Sequence, residues 1–315
     1  IPLAGLLGEA TEELAIHTGP RIGGLVNATL GNAAELIITI VALNNGLIEL
    51  VKASITGSIL GNLLLITGAA LLLGGLKNGI QTFDRRVTGL AATQMTLAVI
   101  ALAIPTLFDR AIGDRGNVLT LSEEVGAVMI AIYALYLVYS FTRPTGEPRP
   151  ETGVDVHEPH EAKWSVPVAL GILAGATIAI VFLSEILVGA VELVVEQIGL
   201  SEFFLGIILV PLVGNVAEHL VGVTAAYKNQ MELSLEISLG SSMQIALFVA
   251  PLLVFISLFI GDETMNLVFT DFELIALAAA TAIATFVSLD GESNWLEGVQ
   301  LLAVYLMFGF GFFFL

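Results

Sequence analysis

Residues 31–35 read Gly31-Asn32-Ala33-Ala34-Glu35, and residues 214–218 read Gly214-Asn215-Val216-Ala217-Glu218. A shift of 183, from 31 to 214, carries one onto the other. The same shift, without a gap, lays Glu49 on Glu232, Leu50 on Leu233 and Gly57-Ser58 on Gly240-Ser241. Upstream it lays Glu9 on Glu192, Glu13 on Glu196 and Gly23 on Gly206. A gapless register through three helices is hard to obtain by chance. The chain reads as a duplication with one glutamate at the same place in each copy.

Both glutamates lie inside long apolar runs. Of the 315 residues, 56% are hydrophobic and 13% charged, against about 25% charged in a soluble domain. There are 29 acidic and 11 basic residues, a formal charge of −18. This excludes a soluble globule, a disordered chain and a nucleic-acid binder, which needs a basic face. With no cysteine, disulfides, thiolate metal sites and a cysteine nucleophile are excluded. Four histidines are too few for a histidine-built metal cluster.

A membrane-spanning helix needs about 20 mainly apolar residues. Nine runs qualify: 21–43, 50–76, 89–108, 121–141, 164–198, 203–227, 233–260, 272–289 and 295–315. A tenth, 1–16, is short and begins in mid-run at Ile rather than Met, so a segment of about 20 residues is expected to precede it. None of the runs alternates with period two, which excludes a β-barrel. The fold class is an all-α polytopic membrane protein of two five-helix repeats, the first truncated at its start. The halves are 1–142 and 164–315. Between them, 143–163 holds Pro144, Pro148, Pro150 and Pro159 among Glu147, Glu151, Asp155, Glu158 and Glu161, and reads as a flexible acidic linker.

Alternate ends of the runs collect Arg21, Lys77, Arg85, Arg86, Arg143, Arg149, Lys163 and Lys228 on one side, and only Lys52, Arg110 and Arg115 on the other. Basic residues favour the inside, so the linker is expected in the cytoplasm and the C-terminus outside. Counting spans through the linker sets the two copies in opposite orientations. Inverted repeats of this kind build many secondary transporters, with the site at the repeat interface near the midplane.

A carboxylate at membrane depth is costly and needs a partner or a function. One such Glu can be a hydrogen-bonded helix residue. Two at matched positions of an inverted repeat, Glu35 and Glu218, converge on one place. Two carboxylates balance Ca²⁺, which takes six to eight oxygen ligands. Backbone carbonyls at Ala28 and Pro211 are expected to complete the set, with Pro211, Gly31 and Gly214 loosening the helices. One helix further on, Ser58 with Asn62, and Ser241 and Ser242 with Gln244, are expected to line or gate the site. Asn32 and Asn215 belong to the same group. An empty site in a low dielectric disfavours the charged carboxylates, whereas Ca²⁺ requires them. Metal and protons therefore exclude each other, which is the logic of an antiporter. His219 can share in the proton step. Glu9, Glu13, Glu192 and Glu196 are read as acids that concentrate cations at the two mouths.

These motifs resemble the paired repeats of the calcium/proton exchangers, a branch of the calcium/cation antiporter superfamily. The likeness rests on Gly31-Asn32-x-x-Glu35 and Gly214-Asn215-x-x-Glu218-His219, each followed by a Gly-Ser segment. Sodium/calcium exchangers typically carry Thr-Ser where this chain has Gly-Asn and lack the following His. The resemblance implies eleven helices, the first outside the repeats and absent here. It also implies that Glu35 and Glu218 bind Ca²⁺ and protons in turn. The helix pair after Ile1 and after Trp164 would then slide to switch access.

The expected function is Ca²⁺/H⁺ exchange by alternating access in a prokaryotic plasma membrane. Ca²⁺, or another divalent cation such as Mn²⁺, is the substrate, and no cofactor is expected. The expected partners are Ca²⁺, H⁺ and the lipid bilayer; nucleic acid is excluded and a homo-oligomer is left open. The alternatives are exchange against Na⁺ and a divalent cation channel. An enzyme is not expected: there is no His-Glu-x-x-His zinc motif, and position 223, four after His219, is Val.

Overall fold

The computed structural model describes residues 2–142, 162–261 and 263–315; of 19–29, 87, 141, 192 and 217 it describes the backbone alone. Most of the acidic linker thus lies outside the described residues. In chain order the helices are α1 (Pro2–Leu30), α2 (Ala33–Asn44), α3 (Ile48–Asn78), α4 (Arg85–Ile112), α5 (Arg115–Thr142), α6 (Val166–Ile198), α7 (Glu202–Gly214), α8 (Val216–Tyr227), α9 (Met231–Ser257), α10 (Asp271–Val287) and α11 (Trp295–Phe313). Two short strands, β1 (Gln81–Thr82) and β2 (Glu292–Ser293), pair antiparallel.

Among the described residues, α3, α4, α5, α6, α9 and α11 are long and apolar enough to cross a membrane. Helices α7 and α8 form a seventh span bent by 63°. Two expected runs fall short of a straight span. Helix α10 has 17 residues, and the run 21–43 is interrupted at Gly31-Asn32 so that α2 supplies only 12.

The fragment 1–16 was expected to stand apart from the next run, yet Pro2–Leu30 is helical throughout. It is not straight. A straight helix from Ala4 to Leu30 would carry the chain about 39 Å, whereas Ala4 and Ala34 share one small apolar cluster with Ala176 and Ile180. The helix therefore cannot run straight over its length.

The duplication holds to the residue. Helices α2 and α8 run 33–44 and 216–227, and α3 and α9 begin at Ile48 and Met231, all related by the same shift of 183. The turns that follow α2 and α8 match as well. Gly46 has φ 77° and its counterpart Asn229 has φ 64°, the one positive φ outside glycine among the described residues. Asparagine is the residue that tolerates this conformation best after glycine. The Leu47 and Gln230 amides then reach back to Ala42 and Ala225.

The copies are antiparallel. Near the start of α3, Lys52 Nζ donates to Asn266 Oδ1 at 2.6 Å and to the Val268 carbonyl at 2.8 Å, in the segment after α9. At the other end, Asn78 donates to the Ala226 and Tyr227 carbonyls, just before α9 begins. One face of the molecule thus carries Lys77, Lys228, β1 and β2. Helix α5 returns the chain to it before the linker, and it is called the linker face below. The opposite face carries Lys52 and the Arg110–Asp271 pair at 2.8 Å.

Candidate functional site

The site forms where α2 and α8 begin. Asn32 and Asn215 interrupt their helices with nearly the same backbone, φ/ψ −96°/25° and −99°/16°. Each break starts a new helix whose third residue is the glutamate, Glu35 in α2 and Glu218 in α8. The free N–H groups of a helix start favour negative charge. Glu35 is buried at 2% exposure, whereas Glu218 is partly exposed. The two carboxylates are close enough to act on each other electrostatically.

Around them the asparagines reach across the repeat interface. Asn215 Nδ2 donates to Glu35 Oε1 and to Ser58 Oγ, both at 3.1 Å. On the other side Ser241 Oγ donates to Asn32 Oδ1 at 3.0 Å. Each asparagine thus bonds the serine of the opposite copy. The symmetry stops at the acids. Asn215 holds Glu35, but Asn32 Nδ2 donates to Gln244 Oε1 at 2.7 Å. The counterpart of Gln244 is Gly61, which has no side chain to compete with. Asn62 joins by donating to Ser241 Oγ at 2.9 Å.

Three buried oxygens of this cluster have no hydrogen-bond partner among the described residues: Glu35 Oε2, Asn215 Oδ1 and Asn62 Oδ1. Buried acceptors are seldom left so. Carboxylate and amide oxygens of this kind are what a hard divalent cation takes as ligands. No group of three or more His, Asp or Glu converges among the described residues.

Other expected residues are placed differently. The Pro211 carbonyl is not freed, because it accepts from the Asn215 amide at 3.0 Å. The reason is that the helix breaks after Gly214 rather than at the proline. Ala28 lies in α1 among residues described by backbone alone. Ser242 Oγ donates back to the Ser238 carbonyl at 2.8 Å and so faces its own helix. His219 follows Glu218 on α8, with its Nε2 buried and without a partner among the described residues.

Of the acids expected at the mouths, Glu13 is 4% exposed and accepts from the Trp164 amide at 3.1 Å. Glu9 pairs with Lys163 at 3.3 Å. Both tie α1 to the start of α6 rather than line an open mouth. Glu196 is exposed, and the side chain of Glu192 lies outside the described residues.

Lys52 was read only for its charge, yet it ties α3 to the 266–268 segment, and one turn further along α3 Thr56 bonds the buried Glu273. Glu273 Oε1 accepts from Thr56 at 2.9 Å, and its Oε2 closes the start of α10 with the Thr270 amide at 2.8 Å. Thr270-x-x-Glu273 is a capping box, the one signal in the sequence for this role of Glu273.

Packing around the site is unequal. A Cβ on Gly57 would collide with the Ile207 carbonyl and come within 2.7 Å of Pro211 Cγ. One on Gly206 would come within 2.8 Å of the Leu50 carbonyl and of Ala53 Cβ. Helices α3 and α7 therefore meet backbone to backbone and seal the approach from the opposite face. Gly240, the counterpart of Gly57, meets nothing within 4 Å among the described residues and is partly exposed. Beside Glu35 an apolar cavity of about 210 Å³ opens between the α1–α6 pair and the core, lined by Ala4, Ala34, Ile38, Ile180 and Val213.

The model of the sodium/calcium exchanger protein family matches residues 1–142 and 168–314. The chain is 46% identical over 327 residues to a Ca²⁺/H⁺ antiporter of Aphanothece halophytica, covering all of this chain and 87% of that protein. It is 44% identical over 319 residues to the Ca²⁺/H⁺ antiporter ChaA of Bacillus subtilis strain 168, covering all of this chain and 90% of the relative. Among solved structures, native YfkE superposes with a TM-score of 0.85 at 42% identity, over 99% of this chain and 89% of that one. The H⁺/Ca²⁺ exchanger CAX shares the fold, with a TM-score of 0.71 at 15% identity over 99% of this chain and 82% of that one. The chain belongs to the sodium/calcium exchanger protein family, in its calcium/proton exchanger branch.

Proposed function

We propose that this protein exchanges Ca²⁺ for H⁺ across a membrane, with Glu35 and Glu218 holding either the metal or protons. The observation that carries the reading is the crossed pair of helix starts. It sets one carboxylate from each inverted copy, Glu35 buried and Glu218 partly exposed, at a shared place among amide and hydroxyl oxygens. Its relatives named as Ca²⁺/H⁺ antiporters support the same exchange.

With Ca²⁺ bound, both carboxylates are charged, and Glu35 Oε2 with Asn215 Oδ1 offers further oxygen. Six to eight ligands are required, so Asn32, Ser58, Ser241 or backbone oxygens complete the shell. When Ca²⁺ leaves, two bare charges in a low dielectric are unfavourable and the carboxylates take up protons. His219, beside Glu218, is placed to pass protons. Only the protonated or the metal-loaded site is electrically balanced, and only a balanced site crosses between faces. That restriction couples the two flows.

The α1–α6 pair, set off from the core by the apolar cavity, is the element that moves. The excess of basic residues puts the linker face in the cytoplasm and the C-terminus outside. Carboxylate and amide oxygens also suit Mn²⁺. The test is Ca²⁺ uptake into proteoliposomes driven by an imposed pH gradient. Glu35→Gln and Glu218→Gln each lose uptake, and uptake persisting in either sinks the proposal. A sodium gradient at constant pH gives no flux.

A further inference from the structure

Among the described residues, three helices widen near the site. Gly61–Ile66 in α3, Leu205–Leu209 in α7 and Ile245–Val249 in α9 wind as π-helix, in which an N–H reaches the carbonyl five residues back. Such turns are rare and often mark functional sites. Those in α3 and α9 are a matched pair, since the shift of 183 lays Gly61 on Gln244, one residue before the second begins. The first carries Asn62, and the second directly follows Gln244.

Two of the three have a plain cause. Pro211 stands two residues after Leu209, and Pro251 two after Val249. A proline ring collides with the carbonyl four residues back and has no N–H to offer it. A wider turn relieves both faults. In α3 the same place is held by Gly68, so no ring forces the turn. Thr67 holds it instead. Its amide and its hydroxyl both donate to the Asn62 carbonyl, five residues back, the hydroxyl at 2.9 Å. The hydroxyls of Thr11, Thr39 and Thr96 bond four residues back, as in ordinary α-helix. Thr67 and Asn62 are both buried.

Asn62 begins a chain of side-chain bonds through the site. Its Nδ2 donates to Ser241 Oγ, Ser241 Oγ to Asn32 Oδ1, and Asn32 Nδ2 to Gln244 Oε1. We propose that Thr67 is a positioning residue for Ca²⁺ binding: its hydroxyl fixes where the wide turn of α3 falls and so aims the Asn62 side chain at the site. This rests on the antiporter reading above. A carbonyl has two lone pairs, and Thr67 fills both. Without the hydroxyl the turn is free to slip by one residue, which rotates Asn62 by about 100° round the helix axis. Tight contacts of Gly57 with Ile207 of α7 and of Gly68 with Gly298 of α11 hold α3 on either side, so the helix itself stays in place.

The test is binding of radiolabelled Ca²⁺ to the purified full chain in detergent, by equilibrium dialysis at one fixed pH. Thr67→Val keeps the branched shape without the hydroxyl and should raise the Kd about threefold or more. Thr67→Ser keeps the hydroxyl and should bind more tightly than the Val variant, close to wild type. A smaller rise in Thr67→Val, or a Ser variant as weak as the Val variant, overturns the proposal. A merely structural loss would lower the number of sites and leave the Kd unchanged. In Asn62→Ala there is no side chain to aim, so adding Thr67→Val should weaken binding no further. A further rise of about threefold or more there also overturns it. Should Thr67→Val not fold, Thr67→Ala takes its place in both comparisons. The antiporter reading is judged separately, on pH-driven Ca²⁺ uptake by the wild type and its loss in Glu35→Gln; the binding measurement needs no transport.

Discussion

The two copies of the site differ less in sequence than in closure. Glu35 is 2% exposed, is held by Asn215, and lies beside helices that touch through Gly57 and Gly206. Glu218 is partly exposed, the Asn32 amide donates to Gln244 instead, and Gly240 meets nothing within 4 Å among the described residues. An inverted repeat turns one local design into two faces of a transporter. If both copies packed alike, the site would be sealed from both sides or open to both. An inequality between the copies is what alternating access demands.

The largest expected effect tests what the copies share. Replacing either glutamate by Gln removes a charge the cation needs, so pH-driven Ca²⁺ uptake falls to background in both. If one variant retained transport, the carboxylates would not act as a pair. The next effect separates the copies. Gly57→Ala forces a methyl into the Ile207 carbonyl, and overpacking costs about 1–3 kcal/mol. Gly240→Ala meets no described neighbour within 4 Å, and removing a glycine from a helix gains up to about 1 kcal/mol. Thermal melting in detergent checks both; equal losses would break the comparison.

The asparagines make a finer test. Asn215→Ala takes a donor from the Glu35 carboxylate, and hydrogen bonds to charged groups contribute about 1.5–3 kcal/mol. Asn32→Ala removes bonds to neutral partners, at about 0.5–1.5 kcal/mol each. Melting should therefore drop further for Asn215→Ala, and the reverse order would reassign the acid–amide pairing. The smallest effect is expected at the rim. Lys163→Ala breaks an exposed pair with Glu9, and such pairs contribute about 1 kcal/mol or less. Stability and transport should stay close to wild type.

Much of this was legible from Gly31-Asn32-x-x-Glu35 and its second copy. The glutamates, both asparagines, Ser58, Ser241, Asn62 and Gln244 were all expected at the site, and the structure brings them together. The sequence position of Pro211 marks a weakened helix without saying where the turn occurs, and the break falls after Gly214. The partners of Glu9 and Glu13, Lys163 and the Trp164 amide, were not legible because they lie 154 and 151 residues away. The Thr56–Glu273 bond was invisible for the same reason. Thr56 and Glu273 are separated by 217 residues and lie outside the matched register.

The sequence by itself determined the membrane class, the inverted duplication and the two acids. Those follow from hydropathy and from a repeat that can be read along one chain. Only the tertiary structure decided that α1 does not run straight, which amide holds which acid, and that α3 and α7 meet backbone to backbone through Gly57 and Gly206. Each of these depends on ångström-scale distances between helices far apart in the chain. A glycine marks where close approach is allowed, and packing alone decides whether a neighbour arrives.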